Sequence, residues 1–189
     1  QRCATIDTPM KYCSSCGSLV ARRKPAGDSR DRWVCDNCNT THYQNPNIVV
    51  GCVPVQEQKI LLCRRAIEPR SGFWTVPAGF LELGETIAEG AARETLEEAC
   101  AMVRVGRLFA SVDVVDAGQV HLFFTGELIS GFGVGEETLE AALFAEDEIP
   151  WDEIAFRSGR FALRKYLEDA GRNNGVHLHE LRRNRQSDD

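Results

Sequence analysis

Two patterns in this chain are able to carry chemistry. The first is a pair of knuckles, Cys13-Ser-Ser-Cys16 and Cys35-Asp-Asn-Cys38, separated by 18 residues, Gly17 to Val34. Four thiolates at this spacing suit a tetrahedral zinc ion, each knuckle donating a pair. An all-cysteine site has no open position, so its role is structural. A redox dithiol explains one pair and leaves the other without a purpose. The second pattern runs from Gly79 to Ala101 and holds six acids and one base, Arg93. On a helix of about 3.6 residues per turn, Glu94, Glu97 and Glu98 fall within an arc of about 100°. Like charges so placed repel, at roughly 0.2–0.5 kcal/mol per neighbouring pair. A solvated acidic face is the ordinary reading of a Glu-rich helix. A hard divalent cation reverses the sign of the repulsion, since carboxylate oxygens are what Mg²⁺ or Mn²⁺ accept. Arg93, one turn from both Glu89 and Glu97, is placed to orient carboxylates.

These residues need elements to hold them. Thr86 followed by Glu89 forms a capping box, which predicts a helix over 87–99. Ala88, Ala92, Leu96 and Ala99 are its expected apolar side, opposite the acids. Ile48–Val55 is β-branched and apolar and predicts a buried strand. The turn Gln56–Lys59 and the strand Ile60–Cys63 complete a hairpin. Phe73–Val76 reads as a short strand, 107–115 and 119–128 as two more around Asp116-Ala-Gly118, and 158–170 as a second helix. Gly131, Gly133 and Gly135 mark a loop that fits no phosphate-binding fingerprint. Residues 11–45 have too few apolar side chains for a core and need a staple. Residues 46–170 are expected to form the main domain, and 171–189 a loose polar tail.

Composition narrows the classes. The 189 residues are 43% hydrophobic and 26% charged, ordinary for a globular chain, which argues against collagen, coiled coil and wholesale disorder. No apolar run reaches the roughly 18 residues of a membrane span. The net charge of −6 is uneven: residues 1–45 hold 7 Lys/Arg against 4 Asp/Glu, and 46–189 hold 15 against 24, so +3 and −9. The larger part is a poor platform for nucleic acid and needs a cation to handle phosphates. No basic-then-apolar leader opens the sequence, so paired thiols in a reducing, cytoplasmic compartment are expected rather than disulfides. Cys3, Cys52, Cys63 and Cys100 read as small buried hydrophobes. His42, His121, His177 and His179 show no ligand spacing to the cysteines or acids and read as ordinary core or surface histidines.

The acidic run resembles the Nudix box, G-x5-E-x7-R-E-U-x-E-E-x-G-U with U bulky and apolar. Gly79, Glu85, Arg93, Glu94, Glu97 and Glu98 match it. Thr95, Cys100 and Ala101 depart from it. None of the three is a ligand position, but Cys100 stands where glycine relieves strain at the helix end. The lead-in from Leu61 to Arg65 and the stretch Gly72–Gly79 are also similar to the family, and a four-cysteine ribbon ahead of the box resembles its zinc-ribbon group of NADH, FAD and ADP-ribose pyrophosphatases. The resemblance implies an α/β Nudix fold, a mixed sheet sandwiched between helices behind a small N-terminal zinc ribbon. It implies Mg²⁺ or Mn²⁺ at Glu94, Glu97 and Glu98, Arg93 as an orienting catalytic residue, and one carboxylate as the base. The function implied is hydrolysis of a nucleoside diphosphate linked to another moiety, releasing AMP from NADH, FAD or ADP-ribose. The resemblance also implies a homodimer, while the charge and the lack of a long apolar run lead us to expect no stable nucleic-acid or membrane partner. Arg64, Arg65 and Arg70 are candidate phosphate contacts, with a solvated hairpin rim as the alternative. Phe73 and Trp74 are candidate stacking faces, with core packing as theirs. Glu136, Glu137 and Glu140 lie where relatives sometimes place a further carboxylate. The NADH enzymes of the group carry a proline-rich signature 15–20 residues past the box, whereas Pro150 is the only proline here between residues 102 and 150. Two other readings stand beside hydrolysis of a small dinucleotide: a ribbon that reads nucleic acid beside a non-catalytic ligand-sensing domain, and an enzyme removing NAD caps from RNA.

Overall fold

Each cysteine pair closes a tight turn whose exit residue is left-handed. Gly17 follows Cys16 with φ 73°, and Asn39 follows Cys38 with φ 57°. Glycine and asparagine take that conformation at least cost. Around the knuckles, β1 (Val20–Arg23), β2 (Arg32–Cys35) and β3 (Thr41–His42) form an antiparallel sheet in that order. Its buried residues are Cys13, Val34, Cys35 and His42, so two of the four are cysteines of the quartet. The computed structural model describes residues 9–182. The chain divides into two units between Pro46 and Asn47.

The second unit is built on a mixed sheet. Strands β4 (Asn47–Gln56) and β5 (Lys59–Arg65) form the expected hairpin. Its two-residue turn, Glu57-Gln58, has φ 50° and 63°, the left-handed pair that matches strand twist. After β6 (Trp74–Thr75) and β7 (Ala78–Phe80) comes the helix α1 (Ile87–Ala99). The remaining elements are β8 (Val103–Val114), β9 (Gln119–Leu128), β10 (Thr138–Phe144), α2 (Arg157–Asp169) and β11 (His177–Leu181). The sheet order is β10-β5-β4-β9-β8-β11, with β6 on β5 and β7 on β4. β4 pairs parallel with β9, and β11 parallel with β8.

β4 sits mid-sheet, which is why its side chains are apolar on both faces. Val50 and Cys52 pack with Ala91 of α1 and with Phe124. Val53 points the other way, into a larger core with Phe109, Phe123, Ala162 and Leu163. The helices therefore cover opposite faces, and the sandwich expected from the resemblance is present. Cys52 and Cys63 are buried as expected, and burial pushes both thiols up to about 12. Cys100 differs: it is exposed. Cys3 lies outside the described residues.

The loose tail expected from residue 171 onward is also corrected. β11 continues the sheet, and Asp169 at the end of α2 fastens it. The buried Asp169 carboxylate accepts from Arg107 (2.7 Å), His177 (2.9 Å) and Asn174 (2.8 Å). Burial alone would raise its pKa, but these hydrogen bonds outweigh it and hold the carboxyl low.

His121 of β9 is bonded at both ring nitrogens, to Gln119 Oε1 and Ser158 Oγ, each at 2.9 Å. Burial lowers its pKa from 6.5 to about 4. The folded state thus resists a proton that the unfolded chain accepts below pH 6.5. The stabilisation is complete above that pH and is lost as pH falls towards 4. Urea unfolding of the wild type and His121→Gln from pH 7.5 to 4 should show the gap between them shrinking by on the order of 2–3 kcal/mol. A gap independent of pH would show that the ring is not held neutral.

Candidate functional site

Helix α1 begins as its sequence dictates. The Thr86 hydroxyl accepts from the Glu89 amide at 3.2 Å, and the Glu89 carboxylate accepts from the Thr86 amide at 2.7 Å. Glu89 is consumed by this cap, so the acid that Arg93 reaches back to is Glu85. Arg93 donates to both Glu85 oxygens (2.9 and 2.7 Å), to Glu94 Oε1 (2.7 Å), to Glu97 Oε2 (3.0 Å) and to the Phe80 carbonyl (3.0 Å). One guanidinium thus fixes three carboxylates and a backbone oxygen. It holds the Glu85 carboxyl down at about 2. Its own pKa is raised further by those acids.

The expected inner face of α1 needs correction. Leu96 is 52% exposed, whereas Glu94 is only 9% exposed. The buried residues of the helix are Gly90, Ala91, Glu94, Thr95 and Ala99. Small side chains let the helix lie close on β4, and Gly79 lets an acid follow. A Cβ at residue 79 would stand 2.3 Å from the Glu94 carboxylate. A side chain at residue 79 would push the Glu94 carboxylate out of the place it occupies. The acids do not all oppose the packed side: Glu94 is part of it and Glu98 is half-buried at its edge. Of the departures from the box, Thr95 is fully buried with its hydroxyl satisfied by the Ala91 carbonyl at 2.9 Å, and Ala101 packs with Leu61, Cys63 and Leu128. Cys100 takes the left-handed conformation itself, φ 48° and ψ 35°.

Burial has an electrostatic cost. It raises the pKa of Glu94 against the opposing pull of Arg93. Glu98 is pushed up to about 8, first by burial and then by the charge of Glu94, with Arg65 and the Ala78 backbone offsetting only part. Its Oε2 is buried and has no hydrogen-bond partner. An orphaned carboxylate oxygen beside a second buried acid is an unfavourable arrangement in a protein by itself. It is favourable around a divalent cation, so Glu94 and Glu98, with the more exposed Glu97, fit such an ion.

The other candidates separate. Trp74 is 7% exposed and meets Phe144 edge-on at 4.9 Å, so it packs in the core and is not a stacking face. Phe73 is partly exposed and carries the Arg70 guanidinium 5.2 Å above its ring. Arg64 is bound to the Gly72 carbonyl (2.8 Å) and pairs with Glu140 at 3.6 Å. Arg65 donates to the Pro69 carbonyl, lies 5.0 Å over Phe156, and is close enough to Glu98 to stabilise its charge. Of the two remaining acids, the charge of Glu137 bears on Glu98, and Glu136 is exposed.

The cysteine quartet is brought together. All four sulfurs lie within 4.8 Å of one another, with Cys13–Cys38 at 3.6 Å and Cys16–Cys35 at 3.5 Å. Thiolates about 2.3 Å from a tetrahedral zinc stand roughly 3.8 Å apart, so the quartet fits the ion. Burial opposes ionisation of Cys13, but the Ser15 and Cys16 amides and His42 outweigh it and hold the thiol at about 5. His42, given no link to the cysteines by spacing, is thus a neighbour of the quartet. The sequence marks residues 131–135 as a loop but misses what that loop touches. The Gly133 amide donates to the Ala99 carbonyl (2.7 Å), and Gly135 donates to that of Glu98 (3.1 Å). No local pattern reveals that partner.

Comparison with known proteins agrees with this geometry. Residues 11–44 match the Nudix N-terminal zinc-ribbon family, and residues 45–168 match the NUDIX domain family. The NAD-capped RNA hydrolase NudC of Salmonella heidelberg is 31% identical over 146 residues, which cover 74% of this chain and 53% of that protein. NudC of Vibrio vulnificus is 31% identical over 148 residues, covering 75% and 53%. The chain therefore spans about half the length of these curated relatives. A NUDIX hydrolase from Nitrosomonas europaea, solved by crystallography, is 47% identical, with a TM-score of 0.86 over 92% of this chain and 100% of that one. With the box, the ribbon and the fold in agreement, the chain belongs to the Nudix hydrolase family, in its zinc-ribbon group.

Proposed function

We propose that this protein is a pyrophosphohydrolase that cleaves a nucleoside diphosphate linked to a second moiety, with dinucleotide-type substrates such as NADH, FAD or ADP-ribose preferred over nucleoside triphosphates. The observation that carries the reading is the partnerless, buried oxygen of Glu98 beside the buried Glu94. Glu94, Glu97 and Glu98 would hold a Mg²⁺ or Mn²⁺ ion, which would neutralise the phosphate oxygens and acidify a water. Arg93 keeps Glu94 and Glu97 in register through its shared guanidinium. Arg65 and Arg70, on the hairpin beside the site, contact the phosphates, and Phe73 offers a ring to a base. A water oxygen attacks one phosphorus, the bridging P–O bond breaks, and a carboxylate of the set accepts the water's proton. The products are AMP and the second phosphomonoester. The zinc ion in the ribbon is structural.

The relatives named NAD-capped RNA hydrolase support the dinucleotide class. An NAD cap contains the same bond between two nucleosides, so capped RNA is a second substrate to be tested. A non-catalytic sensing domain is disfavoured, because it has no reason to bury two neighbouring acids. The test compares kcat/KM for NADH, FAD, ADP-ribose, NAD-capped RNA and nucleoside triphosphates with Mg²⁺, identifying products by mass. A dinucleotide should lead and release AMP. A triphosphate leading tenfold or more, about 1.4 kcal/mol of transition-state preference, would refute the substrate class but not the chemistry.

A further inference from the structure

Helix α1 ends badly for an isolated helix. Its last turn carries Glu97 and Glu98 and no basic residue, which sets negative charge at the negative end of the helix dipole. Its final carbonyls have no partners within the helix. The segment Ser130–Gly135 supplies what is missing. Besides the two glycine amides on Glu98 and Ala99, the Met102 amide donates to the Ser130 hydroxyl at 2.8 Å. The Cys100 thiol faces the Val134 carbonyl at 3.5 Å.

The three glycines of this segment are not equivalent. A Cβ at Gly131 would meet nothing within 4 Å, and one at Gly133 would meet only Cys100 Cβ, at an ordinary 3.6 Å. A Cβ at Gly135 would stand 1.8 Å from the Glu97 carbonyl oxygen and 2.9 Å from that of Glu98. Those are the backbone oxygens of two candidate metal ligands. The segment then reaches the β5–β6 connection that carries Arg70 and Phe73, since the Thr138 amide donates to the Gly135 carbonyl and the Ala66 amide to the Glu137 carbonyl.

We infer that residues 133–135 form a clamp that positions the metal-binding carboxylates, with Gly135 as its positioning residue. The inference rests on the metal-site reading above. Side chains at 131 are tolerated, whereas any side chain at 135 displaces the backbone that sets where Glu97 and Glu98 point. Losing an outer contact that orients a metal ligand typically costs about 10–100-fold in metal affinity.

The test uses the full chain, with Mn²⁺ binding followed by electron spin resonance of the free ion and melting temperature measured without divalent cation. Gly135→Ala should weaken Mn²⁺ binding at least about tenfold. It should also raise the Mg²⁺ requirement of turnover while substrate KM at saturating Mg²⁺ changes little. Gly131→Ala should match the wild type in each. A Gly135→Ala protein that melts lower yet binds Mn²⁺ as the wild type does would reduce the clamp to a structural cap and overturn the inference. Wild-type protein that binds no Mn²⁺ beyond the level of Glu98→Gln would instead overturn the metal-site reading, and the clamp with it. Should Gly135→Ala not fold, hydrogen exchange in the wild type decides. Mg²⁺ should slow exchange at the Gly133 and Gly135 amides, and unchanged exchange would overturn the clamp.

Discussion

Glu98→Gln should lower kcat by about 10³-fold, a loss of ~4 kcal/mol of transition-state stabilisation, while the melting temperature without divalent cations stays level or rises. The two effects separate because one carboxyl is asked to do opposite things. Without a cation, Glu98 is a buried acid with an oxygen that nothing satisfies, next to Glu94. A neutral amide of the same shape relieves the repulsion and removes the cost of burying charge. With a cation, the amide carries no negative charge and the site loses a ligand. Glu97→Gln should lower kcat in the same direction but behave differently in stability. The acidic arc alone suggests that removing one acid relieves repulsion. Glu97 instead sits 3.0 Å from Arg93 and is 57% exposed, so its loss should cost a few tenths of a kcal/mol. Activity that survives in Glu98→Gln, or in excess chelator, would place the active site elsewhere.

Cys35→Ser should abolish zinc binding and unfold residues 11–45 while the mixed-sheet domain keeps its own melting transition. Among the four buried residues of that unit, Cys13 and Cys35 are candidate zinc ligands, which leaves Val34 and His42 as its core. Strands of 4, 4 and 2 residues cannot stand on that alone. Metal binding in such modules contributes about 10–16 kcal/mol, so for them binding and folding are one process. The larger domain has cores on both faces of its sheet and should survive. Close to one zinc per wild-type chain is expected by metal analysis. Zinc-free protein with a Cys13–Cys16 disulfide would overturn the assignment.

Where sequence signals are local, they sufficed. The capping box places the start of α1 at Ile87, and the Glu57-Gln58 turn places the first hairpin, because both depend on residues within four positions. Each cysteine pair is legible for the same reason, and it is the match of two such pairs that points to a quartet across 19 to 25 residues. Long-range contacts were not legible. β10 pairs with β5 across 73 to 84 residues of chain, from Thr138 on Arg65 to Phe144 on Ile60, and its side chains, Thr-Leu-Glu-Ala-Ala-Leu-Phe, carry no strong alternation. β11, His-Leu-His-Glu-Leu, reads as polar tail because it is an edge strand held by Arg107 and Asp169. The inner face of α1 was misjudged because Leu96 outweighs Gly90 and Ala91 on any hydrophobic count. Close approach to β4 selects small residues, and counting has no measure of distance. Cys100 reads as a small buried hydrophobe from its type alone, whereas at the left-handed end of α1 it is exposed.

The convergence of four sulfurs changes the electrostatics of the ribbon. Residues 1–45 sum to +3 with their cysteines counted as neutral thiols. A zinc centre with four thiolates adds two positive and four negative charges, a dianion in the middle of the module. The metallated ribbon is then close to +1, and two of its arginines are already engaged, Arg23 with Asp36 and Arg32 with Asp28. A module so nearly neutral releases few counterions on meeting a phosphate backbone, so any RNA it touches should be held with a shallow dependence on salt.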